Sequence, residues 1–184
     1  EVGSHSVVIT ATDTNSASTT QSFTLVVANT NDAPTVTSTA VTSATEDSAY
    51  TYTVTASDVD VGDTLTMTGT TVPGWLTFDA TTGVLSGTPL NANVGDNSVV
   101  ITVGDGTTTV TDSFTITVAN TNDAPTITST AVTAATEDSL YTYTSTASDV
   151  DAGDTLTAAG TTVPSWLTFT ASTGVLTGTP TNAE

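Results

Sequence analysis

The feature that most constrains this chain is an internal repeat with a period of 91 residues. Residues 31–93 and 122–184 align without a gap and agree at 50 of 63 positions, so they are copies of one unit. Asn31-Asp32-Ala33-Pro34 returns as Asn122-Asp123-Ala124-Pro125, and the run from Trp75 to Pro89 returns from Trp166 to Pro180. The start of the chain keeps the same phase. Ser6-Val7-Val8-Ile9-Thr10 matches Ser98-Val99-Val100-Ile101-Thr102, and Ser22-Phe23 through Pro34 matches Ser113-Phe114 through Pro125. A fixed period of this kind marks tandem modules. The chain therefore reads as a window cut from a longer array. Residues 1–28 are expected to be the last strands of a preceding repeat, 29–34 a linker and 35–119 one complete repeat. Residues 120–125 then form a second linker, and 126–184 the first two-thirds of the next repeat.

A unit of this length suits one small β-sandwich. Thr and Val dominate the composition, and both are β-branched and favour strands. Strand patterns fall at 35–42, 50–56, 64–70, 75–78, 84–87, 98–103 and 111–119. Turn signals separate them, among them Glu46-Asp47-Ser48, Val61-Gly62-Asp63, Thr82-Gly83 and Gly104-Asp105-Gly106. Helical periodicity is missing throughout. The expected fold class is all-β, as tandem seven-stranded immunoglobulin-like or cadherin-like β-sandwich repeats.

Charge narrows the function. The chain has 19 Asp and Glu, one His, and no Lys, Arg or Cys. Ordinary salt bridges are impossible, so each carboxylate must be solvated, bonded to N–H groups or paired with a metal ion. No cation is available to neutralise phosphate, which disfavours nucleic acid and anionic membrane surfaces as partners. No apolar run is long enough to insert in a membrane. One His and no Lys, Arg or Cys leave few parts for acid–base or nucleophilic catalysis.

Fourteen of the acids form seven repeat-matched pairs, the first offset by 92 residues and the rest by 91: Asp13/Asp105, Asp32/Asp123, Glu46/Glu137, Asp47/Asp138, Asp58/Asp149, Asp60/Asp151 and Asp63/Asp154. Strand direction then sorts them. If the first strand of the central repeat runs away from the 29–34 linker, the corner at Glu46-Asp47 lies at the far end. The second strand returns Asp58, Asp60 and Asp63 to the near end, and the later hairpin places Asp105 there too. The near end is expected to gather Asn31, Asp32, Asp58, Asp60, Asp63 and Asp105. The far end is expected to gather Glu46, Asp47, Asn120, Asn122 and Asp123, facing Asp149, Asp151 and Asp154. Several carboxylates in one corner repel unless something neutralises them. An all-oxygen donor set fits Ca2+, with its 6–8 oxygen ligands, better than Zn2+, which prefers Cys and His, or Mg2+, which keeps more water. The alternative is that these are solvated turn acids, since Asp is common in turns.

These residues resemble cadherin repeats. Glu46-Asp47 followed by Ala56-Ser57-Asp58-Val59-Asp60 is similar to that family's Glu and "A-x-D-x-D" motif, and Asn29-Thr30-Asn31-Asp32-Ala33-Pro34 to its "D-x-N-D-x-x-P" linker, with Asn29 in place of Asp. The stretch "W-L-x-F-x-x-x-T-G-x-L-x-G-T-P" from Trp75 to Pro89 resembles the dystroglycan-type, cadherin-like repeats of large bacterial surface proteins. The resemblance implies Ca2+ at module junctions, a rod-like spacer or adhesion role, and an extracellular, cell-surface location. The family's mid-domain Asp-Arg-Glu motif is absent, with Ser86-Gly87-Thr88 standing roughly there, which implies fewer ions per junction than the cadherin set of three.

Other readings concern partners. Trp75 and Trp166 invite sugar stacking, but core packing with the indole N–H bonded to backbone is the expectation. Tyr50 and Tyr52, with Tyr141 and Tyr143, share a strand face and are expected in or near the core; a shallow platform for cell-surface glycans is the alternative. Adjacent repeats or neighbouring copies are the expected partners. A filament is also conceivable, because 1–28 carries the strands that 126–184 lacks. In it, Asp13, Glu137 and Asp138 of neighbouring copies would complete the metal sites.

Overall fold

The computed structural model describes residues 1–182, so the last two residues of the 126–184 segment lie outside the described residues. Among the described residues there are sixteen strands: β1 Gly3–Thr12, β2 Ser18–Val27, β3 Thr35–Val36, β4 Ser43–Thr45, β5 Tyr50–Thr53, β6 Ala56–Ser57, β7 Thr66–Thr71, β8 Leu76–Asp79, β9 Val84–Gly87, β10 Gly95–Gly104, β11 Thr109–Ala119, β12 Thr126–Ile127, β13 Tyr141–Thr144, β14 Ala147–Ser148, β15 Leu167–Thr170 and β16 Val175–Gly178. A 3-10 turn spans Asn91–Asn93. Among the described residues no helix is long and apolar enough to cross a membrane.

Alternation of apolar residues with Thr and Ser builds the central sandwich. Val99, Ile101 and Val103 fall on one face of β10, and all three are buried. β10 sits inside a four-stranded sheet ordered β4-β11-β10-β7. Opposite it lies a three-stranded sheet ordered β5-β9-β8, whose Tyr50, Tyr52, Leu76 and Leu85 face inward. The two faces meet in one core with Val54, Val99, Ile101, Ile116 and Val118. Fully burying one such aliphatic side chain stabilises by about 1.5–3 kcal/mol.

The first two strands differ from their expected spans. The 35–42 run is not continuous. Only Thr35–Val36 of it is strand, β3, which pairs antiparallel with β6; β4 follows beyond the run and pairs parallel with β11. The chain thus crosses from one sheet edge to another, and the Val41 carbonyl accepts the Tyr50 hydroxyl on the way. The 50–56 run breaks at Val54, whose N–H turns to the Gly83 carbonyl. Alternation shows which face a residue takes, but not which strand receives its backbone bonds.

The aromatic residues close the core. Trp75 packs edge-on to Tyr50, with ring centroids 5.8 Å apart. Its indole N–H donates to the Asn97 side-chain oxygen at 3.0 Å, not to backbone as expected. The backbone nearby is already engaged in β-ladders, whereas the Asn97 amide is anchored by the Asn93 and Gly95 carbonyls. Tyr52 packs edge-on to Phe114 and donates to Asp112. Tyr50 and Tyr52 are each 5% exposed, so neither offers a ring face to a sugar.

Outside the central unit the same sequence gives partial structures. Among the described residues β1 and β2 pair only with each other. β13-β16-β15 forms a three-stranded sheet like β5-β9-β8, and β12 pairs with β14 as β3 does with β6. Residues 134–136 and 157–162, which match β4 and β7, are not strands.

Candidate metal centres

The corner after β4 positions the first carboxylate. Asp47 adopts a left-handed φ of 58°, and its N–H donates to the Pro89 carbonyl. The Glu46 N–H donates to Ala119, which folds the Glu46 side chain under the linker, and this residue is only 2% exposed. One carboxylate oxygen, Oε2, accepts the Thr121 N–H at 3.1 Å. From the next module Asp151, 6% exposed, reaches the same place. It accepts from the Asp123 N–H at 2.7 Å, from Asn120 Nδ2 at 2.9 Å and from Asn91 Nδ2 at 3.0 Å.

Two oxygen clusters result at this junction. Glu46, Asp123 and Asp151 each offer a carboxylate oxygen, with the three atoms within 4.8 Å of one another. Asp149, Asp151 and Asp154 do the same, so Asp151 belongs to both. The junction at 29–34 repeats half of this arrangement, with Asp58, Asp60 and Asp63 forming one cluster. Asp60 accepts from Asn29 Nδ2 at 2.9 Å and from the Asp32 N–H at 2.7 Å. Asn31 Nδ2 donates to Asp105 Oδ2 at 3.0 Å. Asp58 Oδ1 accepts the Asp60 N–H, while the buried Oδ2 has no hydrogen-bond partner.

The fold therefore gathers Glu46, Asn120, Asp123, Asp149, Asp151 and Asp154 at one junction. At the other it gathers Asn29, Asn31, Asp58, Asp60, Asp63 and Asp105. Several candidates stand outside the tight clusters. Asp32 contributes its N–H, with its side chain exposed, and Asp47 is exposed on the corner. Asn122 donates to the Asp123 carbonyl. Asp13 caps its own hairpin by accepting from the Asn15 and Ala17 N–H groups. Glu137 and Asp138 lie on an exposed corner. Asn91 was missed by sequence reasoning although it returns one period later as Asn182, which was the available signal. The Thr121 N–H left no signal, because a backbone donor has no residue type.

The electrostatics follow from neutral donors doing work usually done by cations. Desolvation, then the charges of Glu46, Asp151, Asp47 and Asp149, holds the Asp123 carboxyl above its ordinary value. Desolvation, then Asp58, Asp60 and Asp105, does the same to Asp63. N–H groups of Thr108 and Thr107 with the Thr108 and Asn31 side chains pull Asp105 well below it, and those of Thr81 and Thr82 lower Asp79. The signs differ. A raised carboxyl holds its proton more tightly when folded, so its contribution is fullest at low pH and is lost as pH rises through the folded value. A lowered one contributes above the unfolded value of 3.8 and loses this as pH falls through the folded value. In chelator, the melting temperature is expected to rise as pH is lowered from 7 toward the ordinary carboxylate range. It should fall below the ordinary value of 3.8, where the unfolded chain takes up protons that Asp79 and Asp105 resist when folded. Thermal melts across pH 7 to 3 check this, and a steady loss of stability from neutrality downward contradicts it.

The chain matches one protein family in two stretches, residues 33–119 and 124–184, whose description is "Putative Ig domain". These stretches cover most of the chain, and the chain belongs to that family. No curated protein matches it. Among solved structures, it is similar to domains EC1-2 of human protocadherin-24, at 19% identity and a TM-score of 0.51, over 84% of this chain and 82% of that one. It is similar to cadherin domains 1-4 of protocadherin gamma B7 at 19% identity and a TM-score of 0.54, over 97% of this chain and 49% of that one. An endo-fucoidan hydrolase of glycoside hydrolase family 107 aligns at 28% identity and a TM-score of 0.44. That alignment covers all of this chain and 30% of that one, so this chain spans under a third of that enzyme's length. The fold is immunoglobulin-like and cadherin-like.

Proposed function

We propose that the chain is a non-catalytic structural repeat of an extracellular, bacterial cell-surface protein, in which Ca2+ at the module junctions stiffens an extended rod. The observation that carries this reading is the burial of Glu46, at 2% exposure, against Asp123 of the linker and Asp151 of the next module. Three carboxylates from both sides of one linker converge in a chain that holds no Lys or Arg. Left to themselves they repel, so ordering the junction costs free energy. A hard cation with oxygen ligands reverses the sign of that term. Glu46, Asp123, Asp149, Asp151 and Asp154 would hold it at one junction, and Asp58, Asp60 and Asp63 at the other.

Catalysis is not part of this reading. The one His, His5, is exposed on the β1 ribbon and bonds the Glu1 carbonyl, far in sequence from the carboxylate clusters. A glycan platform is not favoured, because the central tyrosines are buried and Trp75 is tied to Asn97. The cell-surface placement rests on the resemblance to bacterial surface repeats. The test is small-angle scattering and thermal melting with millimolar Ca2+ and with chelator. Ca2+ should raise the melting temperature and narrow the distribution of inter-module distances. If neither changes, the Ca2+ reading falls.

A further inference from the structure

The amide donors around Asp151 hold the junction in a way that needs no cation. Asp151 belongs to the module after the second linker and is 6% exposed. Its Oδ2 accepts the Asp123 N–H at 2.7 Å, and its Oδ1 accepts Asn120 Nδ2 at 2.9 Å. These two bonds seat the linker on the module that follows it. The first linker is seated in the same way. There Asp60 accepts the Asp32 N–H at 2.7 Å and Asn29 Nδ2 at 2.9 Å. The Asp60 and Asp151 N–H groups donate in turn to Asp58 and Asp149, which steadies each acceptor loop. The match at two places shows that the Asn-x-Asn-Asp run encodes this clasp locally.

Asn91 extends the clasp across the junction. From the 3-10 turn of the central module, its Nδ2 donates to Asp151 Oδ1 at 3.0 Å. The turn closes without that side chain. The Asn93 N–H donates to the Leu90 carbonyl, and Asn93 Oδ1 accepts the Leu90 N–H. The Asn91 amide therefore serves the neighbouring module and not its own turn. Its residue type matters. A neutral amide donates to a carboxylate without cancelling its charge, whereas Lys or Arg there would stand in for a cation. A carboxylate offers about four acceptor sites, and the three donors leave one over. Asp151 is held directionally and still has room for a cation.

We propose that Asn91 is a positioning residue that sets the angle between the two modules without metal, by clasping Asp151 together with Asn120 and the Asp123 N–H. The clasp fixes the mean geometry of the junction, and a bound cation narrows the spread around it. Repulsion among Glu46, Asp123 and Asp151 opposes the clasp in chelator, so the loss of one donor shows most clearly there. The proposal is read out in chelator and does not rest on the Ca2+ reading.

The chain has no Cys, so two introduced cysteines report one distance. Thr77→Cys and Thr168→Cys put spin labels on exposed, repeat-matched positions of β8 and β15. Pulsed electron spin resonance then gives the distance distribution of the full chain in chelator and in millimolar Ca2+. The otherwise unaltered chain should show the same most-populated distance in both. In chelator, Asn91→Ala should reduce the population at that distance at least about fivefold, as the loss of one hydrogen bond to a charged acceptor implies. Asn91→Asp keeps the size but sets a carboxylate against Asp151, and should reduce it further. Melting of the central module should stay unchanged in both variants, which separates a lost clasp from a lost fold. A different most-populated distance in chelator and in Ca2+ would overturn the proposal. So would Asn91 variants whose distributions in chelator match the parent's. If Ca2+ alters no distribution, the Ca2+ reading falls, and the comparison in chelator still decides the clasp.

Discussion

Glu46→Gln is expected to remove most of the Ca2+-dependent rise in melting temperature. Gln keeps an acceptor for the Thr121 N–H, which bonds Glu46 Oε2 at 3.1 Å, so the corner should fold unchanged. The substitution takes away one negative charge, and with it the central module's contribution to the Glu46, Asp123 and Asp151 cluster. With Ca2+ about 100-fold above its dissociation constant, binding to the folded state stabilises by about 2.7 kcal/mol. For a module of this size that is on the order of 10 °C. The sign should invert in chelator, where Gln relieves repulsion against Asp123 and the variant melts no lower than the parent. Glu137→Gln is the internal control. It has the same sequence context but sits on an exposed corner, so it should leave the Ca2+ response intact. Calorimetric melts of the three proteins with and without Ca2+ decide the matter. An equal Ca2+ shift in the Glu46 variant and its parent would remove Glu46 from the site.

Gly87→Ala should be the most damaging small substitution in the central module. Gly87 is the register partner of Tyr50 on one side and Leu76 on the other. A methyl group there would lie 2.1 Å from the Trp75 carbonyl oxygen and 3.2 Å from the Leu76 Cα. Both are backbone atoms, so no rotamer change relieves the clash, and the ladder itself must open. Overpacking commonly costs about 1–3 kcal/mol, and this site belongs at or above the top of that range. Urea denaturation followed by tryptophan fluorescence in a Trp166→Phe background, which leaves Trp75 alone, measures it, and a loss below roughly 1 kcal/mol would show that the strands separate easily. The same close approach bears on the expected ion count. Ser86-Gly87-Thr88 stands where the cadherin resemblance would place a further ligand motif, and position 87 has no room for a side chain.

Much of the candidate site was legible because it depends on chain direction. Strand reversal alone brings Asp58, Asp60 and Asp105 to the end near 29–34 and sends Glu46 to the other. Burial was not legible. Asp32 and Asp123 stand one period apart in identical Asn-Asp-Ala-Pro runs, but only Asp123 joins a tight cluster of carboxylates. Glu46 makes the tight cluster at Asp123, which it approaches from the preceding module. The donors to Asp151 were only partly visible. Asn120 was expected, whereas Asn91 reaches it from a 3-10 turn that no strand pattern foretells.

By itself the sequence determined the repeat, the all-β class, the facing of the alternating residues and the all-oxygen character of the clusters. These follow from residue type and period, which are local. The tertiary structure decided which segments become strands at all. Gly69-Thr70-Thr71 and Gly160-Thr161-Thr162 are the same three residues at the same phase. The first lies in β7, bonded along β10, and the second is not strand. A helix completes its hydrogen bonds within its own segment, but a strand must find them on another. For 66–71 that other strand is β10, which pairs with it antiparallel.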